Sequence, residues 1–306
     1  MQRRNLIGTA FAAAVTAAGV AQASTTDQFS GKTRPIDTMN RVKGWEPGAV
    51  RPIELKGRAI GAGRPKLIAP TTSKTPDELV ATVKKFAAMP ALDMVEVRID
   101  YLGQLEPAQY AEVTRRAYEA AGDKIVLVTL RNGTDGGPFI AEDAWYGKVY
   151  EAVLNDGRAD VVDLELFRDA GMIRRLVDLA HKKGVKVIIS DHEFKFTPDE
   201  GELIRRLLLE QEAGADILKL AVMAASPEDA LTVMSATAKV RHYYSNRPML
   251  TMAMGKWGVV TRITGEGFGS DLTFASVGGK ASAPGQIPAE ECLNVLETLH
   301  RAMNPH

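Results

Sequence analysis

Residues 184–222 read GVKVIISDHEFKFTPDEGELIRRLLLEQEAGADILKLAV, and this stretch decides the fold. A short run rich in Val and Ile ends at Ser190, an amphipathic stretch opened by Pro198 runs to Ala213, and a second short apolar run occupies 215–222. Strands that are apolar on both faces belong to parallel sheets covered by helices. Proline suits the first turn of a helix, where its missing N–H is not needed. The stretch therefore reads as strand, helix, strand.

The same unit recurs on either side. Upstream, KLIAP (66–70), DMVEVRID (93–100), KIVLVTLR (124–131) and ADVVDLEL (159–166) alternate with helix-like stretches at 76–89, 107–121, 138–155 and 172–183. Downstream, PMLTMAM (248–254) and DLTFAS (271–276) alternate with 227–242 and 288–303. About eight such units predict an α/β fold closed as a (β/α)8 TIM barrel, with a doubly wound open sheet as the competing architecture. Residues 51–64, RPIELKGRAIGAGR, precede the first unit and are expected to form a hairpin over one barrel end.

Composition excludes several classes. The chain has 306 residues, 45% of them hydrophobic, with 38 basic and 38 acidic side chains. Disorder is excluded by the apolar fraction, and binding of nucleic acid by bulk charge is disfavoured by the neutral balance. The single cysteine, Cys292, allows neither an internal disulfide nor a cysteine-based zinc site.

Residues 1–23 read as a cleaved secretory signal: Arg3 and Arg4, an acid-free stretch of small and mildly apolar residues, and a small-x-small end at Ala21–Gln22–Ala23. The paired arginines resemble a twin-arginine signal, so a periplasmic location is expected. The apolar run is too short for a membrane span. Residues 24–50 read as a linker or surface arm, and 51–306 as a single barrel.

The informative residues are the polar ones that interrupt strands. Alternate strand residues point into a barrel, and catalytic groups gather at strand C-terminal ends. Lys219 stands alone in ADILKLAV. In apolar surroundings it would be a nucleophilic amine able to form a Schiff base with a ketone; the competing reading is an interior salt bridge with Glu165 or Glu96. His192 closes KVIISDH and is the histidine placed for general acid and base work, whereas His181, His242, His300 and His306 read as solvated. A metal at Asp191–His192–Glu193 is disfavoured, since consecutive strand residues face opposite ways. Glu96, Arg98, Arg131, Arg262, Ser282 and Gln286 collect at the same end, which fits a carboxylated substrate. The run Gly265 to Ser270 lacks the dinucleotide spacing and reads as a tight loop.

The segments EVRID (96–100), TLRNGTDGG (129–137), SDHEFKFTP (190–198), GADILKLA (214–221), MAMGKWGVVTRI (252–263), FGSDLTFA (268–275) and SAPGQ (282–286) together resemble type I 3-dehydroquinate dehydratase, from about Pro65 to Leu299. The resemblance implies a cofactor-free and metal-free homodimer that dehydrates 3-dehydroquinate to 3-dehydroshikimate. It implies Lys219 as the Schiff-base residue, His192 as the acid and base, the six residues above as the substrate-binding set, and Arg262 on the carboxylate. The family pattern has a glutamate four residues after the arginine, supporting the histidine; here Asp135 stands there, one methylene shorter. Two alternatives share these features, a class I aldolase and an exported binding protein for quinate-like acids. An exported enzyme fits catabolism of external quinate.

Overall fold

In the computed structural model, residues 48–279 and 282–305 are described. The signal-like residues 1–23 and most of the arm lie outside that range. The chain begins with a hairpin, β1 (Ile53–Leu55) and β2 (Arg58–Ile60), joined by Lys56 and Gly57, both at positive φ as a two-residue mirror-image turn requires. The expected hairpin over 51–64 is therefore present.

Eight parallel strands follow: β3 (Lys66–Pro70), β4 (Met94–Arg98), β5 (Ile125–Thr129), β6 (Val161–Glu165), β7 (Lys186–Glu193), β8 (Ile217–Met223), β9 (Met249–Met254) and β10 (Leu272–Ser276). Each pairs in parallel with the next from β3 to β9, and β10 pairs with β3 to close the circle. The β9–β10 seam has no ladder. There the Asp271 N–H donates to the Met249 carbonyl (2.7 Å), the Met249 N–H to Asp271 Oδ2 (2.7 Å), and the Thr251 N–H to Ser270 Oγ (3.0 Å). The two-residue β11 (Ile287–Pro288) adds to β10.

The covering helices are α1 (Pro76–Ala87), α2 (Pro107–Ala121), α3 (Asp143–Asn155), α4 (Ala170–Lys182), α5 (Glu200–Glu212), α6 (Pro227–Lys239), the short α7 (Val259–Ile263) and α8 (Gly265–Phe268), and α9 (Ala289–Met303). Several begin as the sequence implies. Thr75 Oγ accepts from the Glu78 N–H, Asp199 Oδ1 from the Glu202 N–H, and Ser226 with Asp229 forms a reciprocal cap. The third helix starts at Asp143 instead of Pro138, and the glycine-rich run at 265–270, read as a tight loop, contains a single helical turn closed by Gly269 at φ +98°.

Strand alternation divides the interior in two. Outward residues such as Val95, Val126, Val162, Val187 and Leu218 pack under the helices. Inward residues such as Ile68, Met94, Ile125, Val161, Ile188, Ile217 and Leu250 fill the barrel, together with Ile60 from the hairpin, which is fully buried. Inward positions become polar toward the C-terminal ends: Met94, Glu96, Arg98 on β4; Val161, Asp163, Glu165 on β6; Ile188, Ser190, His192 on β7. That gradient places a polar site at one end only.

Candidate active site

A cavity of about 90 Å³ opens at that end, lined among others by Glu96, Arg98, Arg131, Asp135, His192, Lys219, Arg262, Ser282 and Gln286. The fold brings all nine sequence-selected residues to one wall-to-wall space. Phe194, Met252, Met254 and Phe274 supply its apolar surface.

Lys219 lies on β8, level with Ser190 of β7, and is 3% exposed. Its surroundings are not purely apolar. Nζ donates to Asp163 Oδ2 at 2.6 Å, while the Phe274 ring centroid lies 5.1 Å away. The interior ion pair weighed for this lysine therefore exists, with Asp163 in place of Glu165 or Glu96. Glu96 instead accepts from Thr129 Oγ1 (2.8 Å), and Glu165 is held by Arg131 (3.1 Å), Arg168 (2.9 Å) and the Asn132 N–H (2.7 Å).

Asp163 is the residue that sequence reasoning passed over. Its signal was present, because Val161, Asp163 and Glu165 share the inward face by the alternation that singled out Lys219. It is fully buried and takes Lys219, Ser190 Oγ (2.5 Å) and Arg131 Nη2 (2.7 Å). Burial opposes its ionisation, but the neighbouring Arg131 and Lys219 charges overcome that and hold the carboxyl well below the usual range. From behind, α3 fixes the strand ends: the Tyr150 hydroxyl donates to the Asp163 carbonyl, and the Glu165 N–H donates to the Tyr146 hydroxyl (3.2 Å).

His192, the next inward residue after Ser190, is held neutral. Burial and the nearby Arg131 guanidinium lower it to about 4, against the partial support of Asp135. Asp135 Oδ2 lies 3.5 Å from Nδ1, long for a hydrogen bond, and no other acceptor among the described residues reaches that nitrogen. The aspartate thus stands beside the histidine but at a distance longer than a good hydrogen bond. The loop carrying it is fixed in place. A side chain at Gly136 would strike the Phe194 ring at 2.4 Å, and one at Gly137 the Arg131 carbonyl at 1.9 Å. Phe194 in turn lies nearly parallel to the His192 ring. Asp191, as its alternation requires, faces away and pairs with Arg206 of α5 (2.8 Å).

The three arginines differ in what they already hold. Arg98 makes a two-pronged bond to Asp100 (2.9 and 2.8 Å), and Arg131 is engaged by Asp163 and Glu165. Arg262, on α7 and 2% exposed, has no carboxylate partner among the described residues. Its Nη2 donates to the Pro284 carbonyl (3.0 Å), and burial lowers it to about 10. A buried, uncompensated guanidinium facing a cavity is a site for an anion. Ser282 and Gln286 hold each other through two 2.9 Å bonds beside it. No group of three or more His, Cys, Asp and Glu among the described residues is placed to hold a metal ion.

Elsewhere, His181 pairs with Asp216 (2.9 Å) and His300 with Glu266 (2.6 Å), so these two are partnered and not simply solvated. His306 lies outside the described residues, and Cys292 is fully buried as a small hydrophobe.

The fold and cavity define a (β/α)8-barrel protein with an ion-paired interior lysine, a neutral histidine and an open anion site at the strand C-terminal ends. Residues 67–303 match the family model of type I 3-dehydroquinase. The 3-dehydroquinate dehydratase of Syntrophotalea carbinolica is 39% identical over 251 residues, covering 81% of this chain and 98% of that protein. That of Lactiplantibacillus plantarum is 41% identical over 249 residues, covering 81% and 97%. The crystal structure of type I 3-dehydroquinate dehydratase from Clostridium difficile with covalently modified comenic acid superposes with a TM-score of 0.78 at 37% identity, covering 83% of this chain and 99% of that one. The chain belongs to the type I 3-dehydroquinase family.

Proposed function

We propose that the protein dehydrates 3-dehydroquinate to 3-dehydroshikimate by syn elimination through an imine on Lys219. The observation that carries this reading is that Lys219 and His192 share a cavity with Arg262, a buried arginine that has no carboxylate partner among the described residues. A substrate bearing both a ketone and a carboxylate satisfies the amine and Arg262 together. The names of relatives 39% and 41% identical support the choice of that substrate.

In this mechanism the Lys219 amine adds to the C3 ketone, and loss of water leaves an iminium. The iminium draws electron density from C2, so His192, neutral at physiological pH, removes a C2 proton. The electron pair moves to form the C1–C2 double bond as the C1 hydroxyl departs, protonated by His192 to water. One group carrying one proton between adjacent carbons serves a same-side elimination. Hydrolysis of the imine restores Lys219. Glu96, Arg98, Arg131, Ser282 and Gln286 orient the hydroxyls and carboxylate around this axis.

Borohydride added with substrate should leave a covalent adduct on Lys219, read by peptide mass spectrometry. Lys219→Ala should form none and lose about 10⁴-fold or more in kcat. Full activity in that variant would overturn the reading, and release of a pyruvate or triose fragment would assign the site to an aldolase.

We propose further that residues 1–23 direct export and that the enzyme acts on external quinate-derived substrate, supported by the signal-like sequence. Fractionation of cells producing the full chain should recover a periplasmic protein beginning at Ser24. A cytoplasmic protein retaining Met1 would overturn this.

A further inference from the structure

We propose that Asp163 is a further catalytic residue, the counterion of the Lys219 nitrogen both as resting ammonium and as the substrate iminium. The proposal rests on the Schiff-base reading above.

Three features set this carboxylate apart. It touches the reacting atom, with Oδ2 2.6 Å from Lys219 Nζ. It is fully buried and cannot swing away, because Oδ1 is taken by Ser190 Oγ (2.5 Å) and Arg131 Nη2 (2.7 Å) while its backbone carbonyl is held by Tyr150. The second inward carboxylate of the strand, Glu165, bonds Arg131 and Arg168 and has no bond to Lys219. The other titratable groups around this space are Arg131, Glu165, Glu96, the Arg98–Asp100 pair, Asp135 beside His192, Arg262, and the buried Glu210 of α5, whose Oε2 accepts from the Lys219 N–H (2.7 Å).

The stoichiometry of imine formation explains why a fixed anion suits the reaction. An ammonium and a ketone become an iminium and water: one C=N bond replaces one C=O bond, and two of the three ammonium protons leave on the oxygen. The third proton stays on nitrogen, and so does one positive charge. Asp163 therefore faces a single N–H-bearing cation before and after the step, and its own ionisation need not change. At a buried position, a preformed anion of this kind stabilises the iminium without reorganising. Keeping the imine protonated keeps C2 acidic, which is what the elimination requires.

The test compares Asp163→Asn with Glu165→Gln, a matched loss of a buried carboxylate on the same strand and the same arginine. Each full-length variant is assayed for kcat and KM with 3-dehydroquinate, and for the fraction of Lys219 trapped by borohydride at saturating substrate. Asp163→Asn should lose about 10²-fold in kcat with KM changed only severalfold. Its trapped fraction should fall at least severalfold, because the iminium has lost its counterion. Glu165→Gln should keep the trapped fraction of the unsubstituted protein. Equal kcat losses with an unchanged trapped fraction in both variants would reduce Asp163 to a scaffold for Arg131 and overturn the proposal. If Asp163→Asn does not fold, Asp163→Glu, which keeps an anion beside Lys219, should retain the adduct with a smaller loss of kcat; loss of the adduct there overturns the proposal as well. Absence of any adduct with the unsubstituted protein would instead sink the Schiff-base reading itself, so the two failures are distinguishable.

Discussion

The two ends of the barrel are made from the same strands and hold opposite chemistry. At the N-terminal end the hairpin caps an apolar plug of Ile60, Ile68, Met94, Ile125 and Ile217, with Ile53 and Leu55 packed against it. Its ion pairs ring the plug at partly exposed positions: Lys56–Asp160 (2.9 Å), Arg64–Asp93 (2.7 Å) and Arg58–Asp123 (2.9 Å). At the C-terminal end the charges are inside. Lys219, Arg131, Asp163 and Glu165 are each nearly or fully buried, and Arg262 is buried with no carboxylate partner among the described residues. Exposed pairs contribute about 0–1 kcal/mol each, whereas burying ions costs several kcal/mol apiece before pairing recovers it. One end therefore supplies stability, and the other draws on it to keep charges in place for chemistry.

Substitutions at the two ends should separate accordingly. Arg262→Met, which replaces an unpaired buried charge with an apolar chain, should raise KM by about 10²-fold or more, while Tm does not fall. A drop in Tm with unchanged KM would show that Arg262 is structural and would erase the contrast. Ile60→Ala should do the reverse, lowering unfolding free energy by about 2–5 kcal/mol in denaturant titrations while leaving kcat unchanged. Loss of kcat in folded Ile60→Ala would mean that the plug positions the site.

Acidification should expose the cost at the C-terminal end. His192 is lowered to about 4 in the fold and has the ordinary value of 6.5 when unfolded. Between those pH values the unfolded chain takes up a proton that the folded protein refuses. Stability is therefore unaffected above about 6.5 and falls as pH drops through the window, by on the order of 3 kcal/mol at its lower end. His192→Gln should flatten that segment of the stability profile; an unchanged slope would locate the acid sensitivity elsewhere. The smallest effect is the sharpest test of the loop. Asp135→Glu should bring a carboxylate within hydrogen-bond reach of His192 Nδ1 and raise kcat by about fivefold, near 1 kcal/mol of transition-state free energy. Unchanged kcat would mean that Asp135, at 3.5 Å, already supports His192 as well as a glutamate would.

Much of this was readable in the amino-acid pattern, for local reasons. Strand alternation alone placed Lys219, His192, Glu96 and Arg98 on inward faces, and the recurrence of the unit set the barrel. What alternation does not specify is stagger between strands. Lys219 is level with Ser190 and hence with Glu165, yet its long side chain reaches Asp163, one inward position lower. That choice depends on strand tilt, a property of the closed barrel and not of any one segment. The same holds for Arg98 and Arg131. Sequence marks them as anion binders, but only packing shows that carboxylates already occupy them and that Arg262 remains open.

The seam between β9 and β10 has an evolutionary consequence. Seven of the eight junctions between barrel strands are written in backbone, which any residue but proline supplies, so mutation can hardly rewrite them. The eighth depends on the side chains of Ser270 and Asp271, with one main-chain bond between them and Met249. A single nucleotide change at either codon can alter how the ring is fastened. The circumference therefore has one heritable clasp, where selection could tune closure of the barrel without disturbing a ladder.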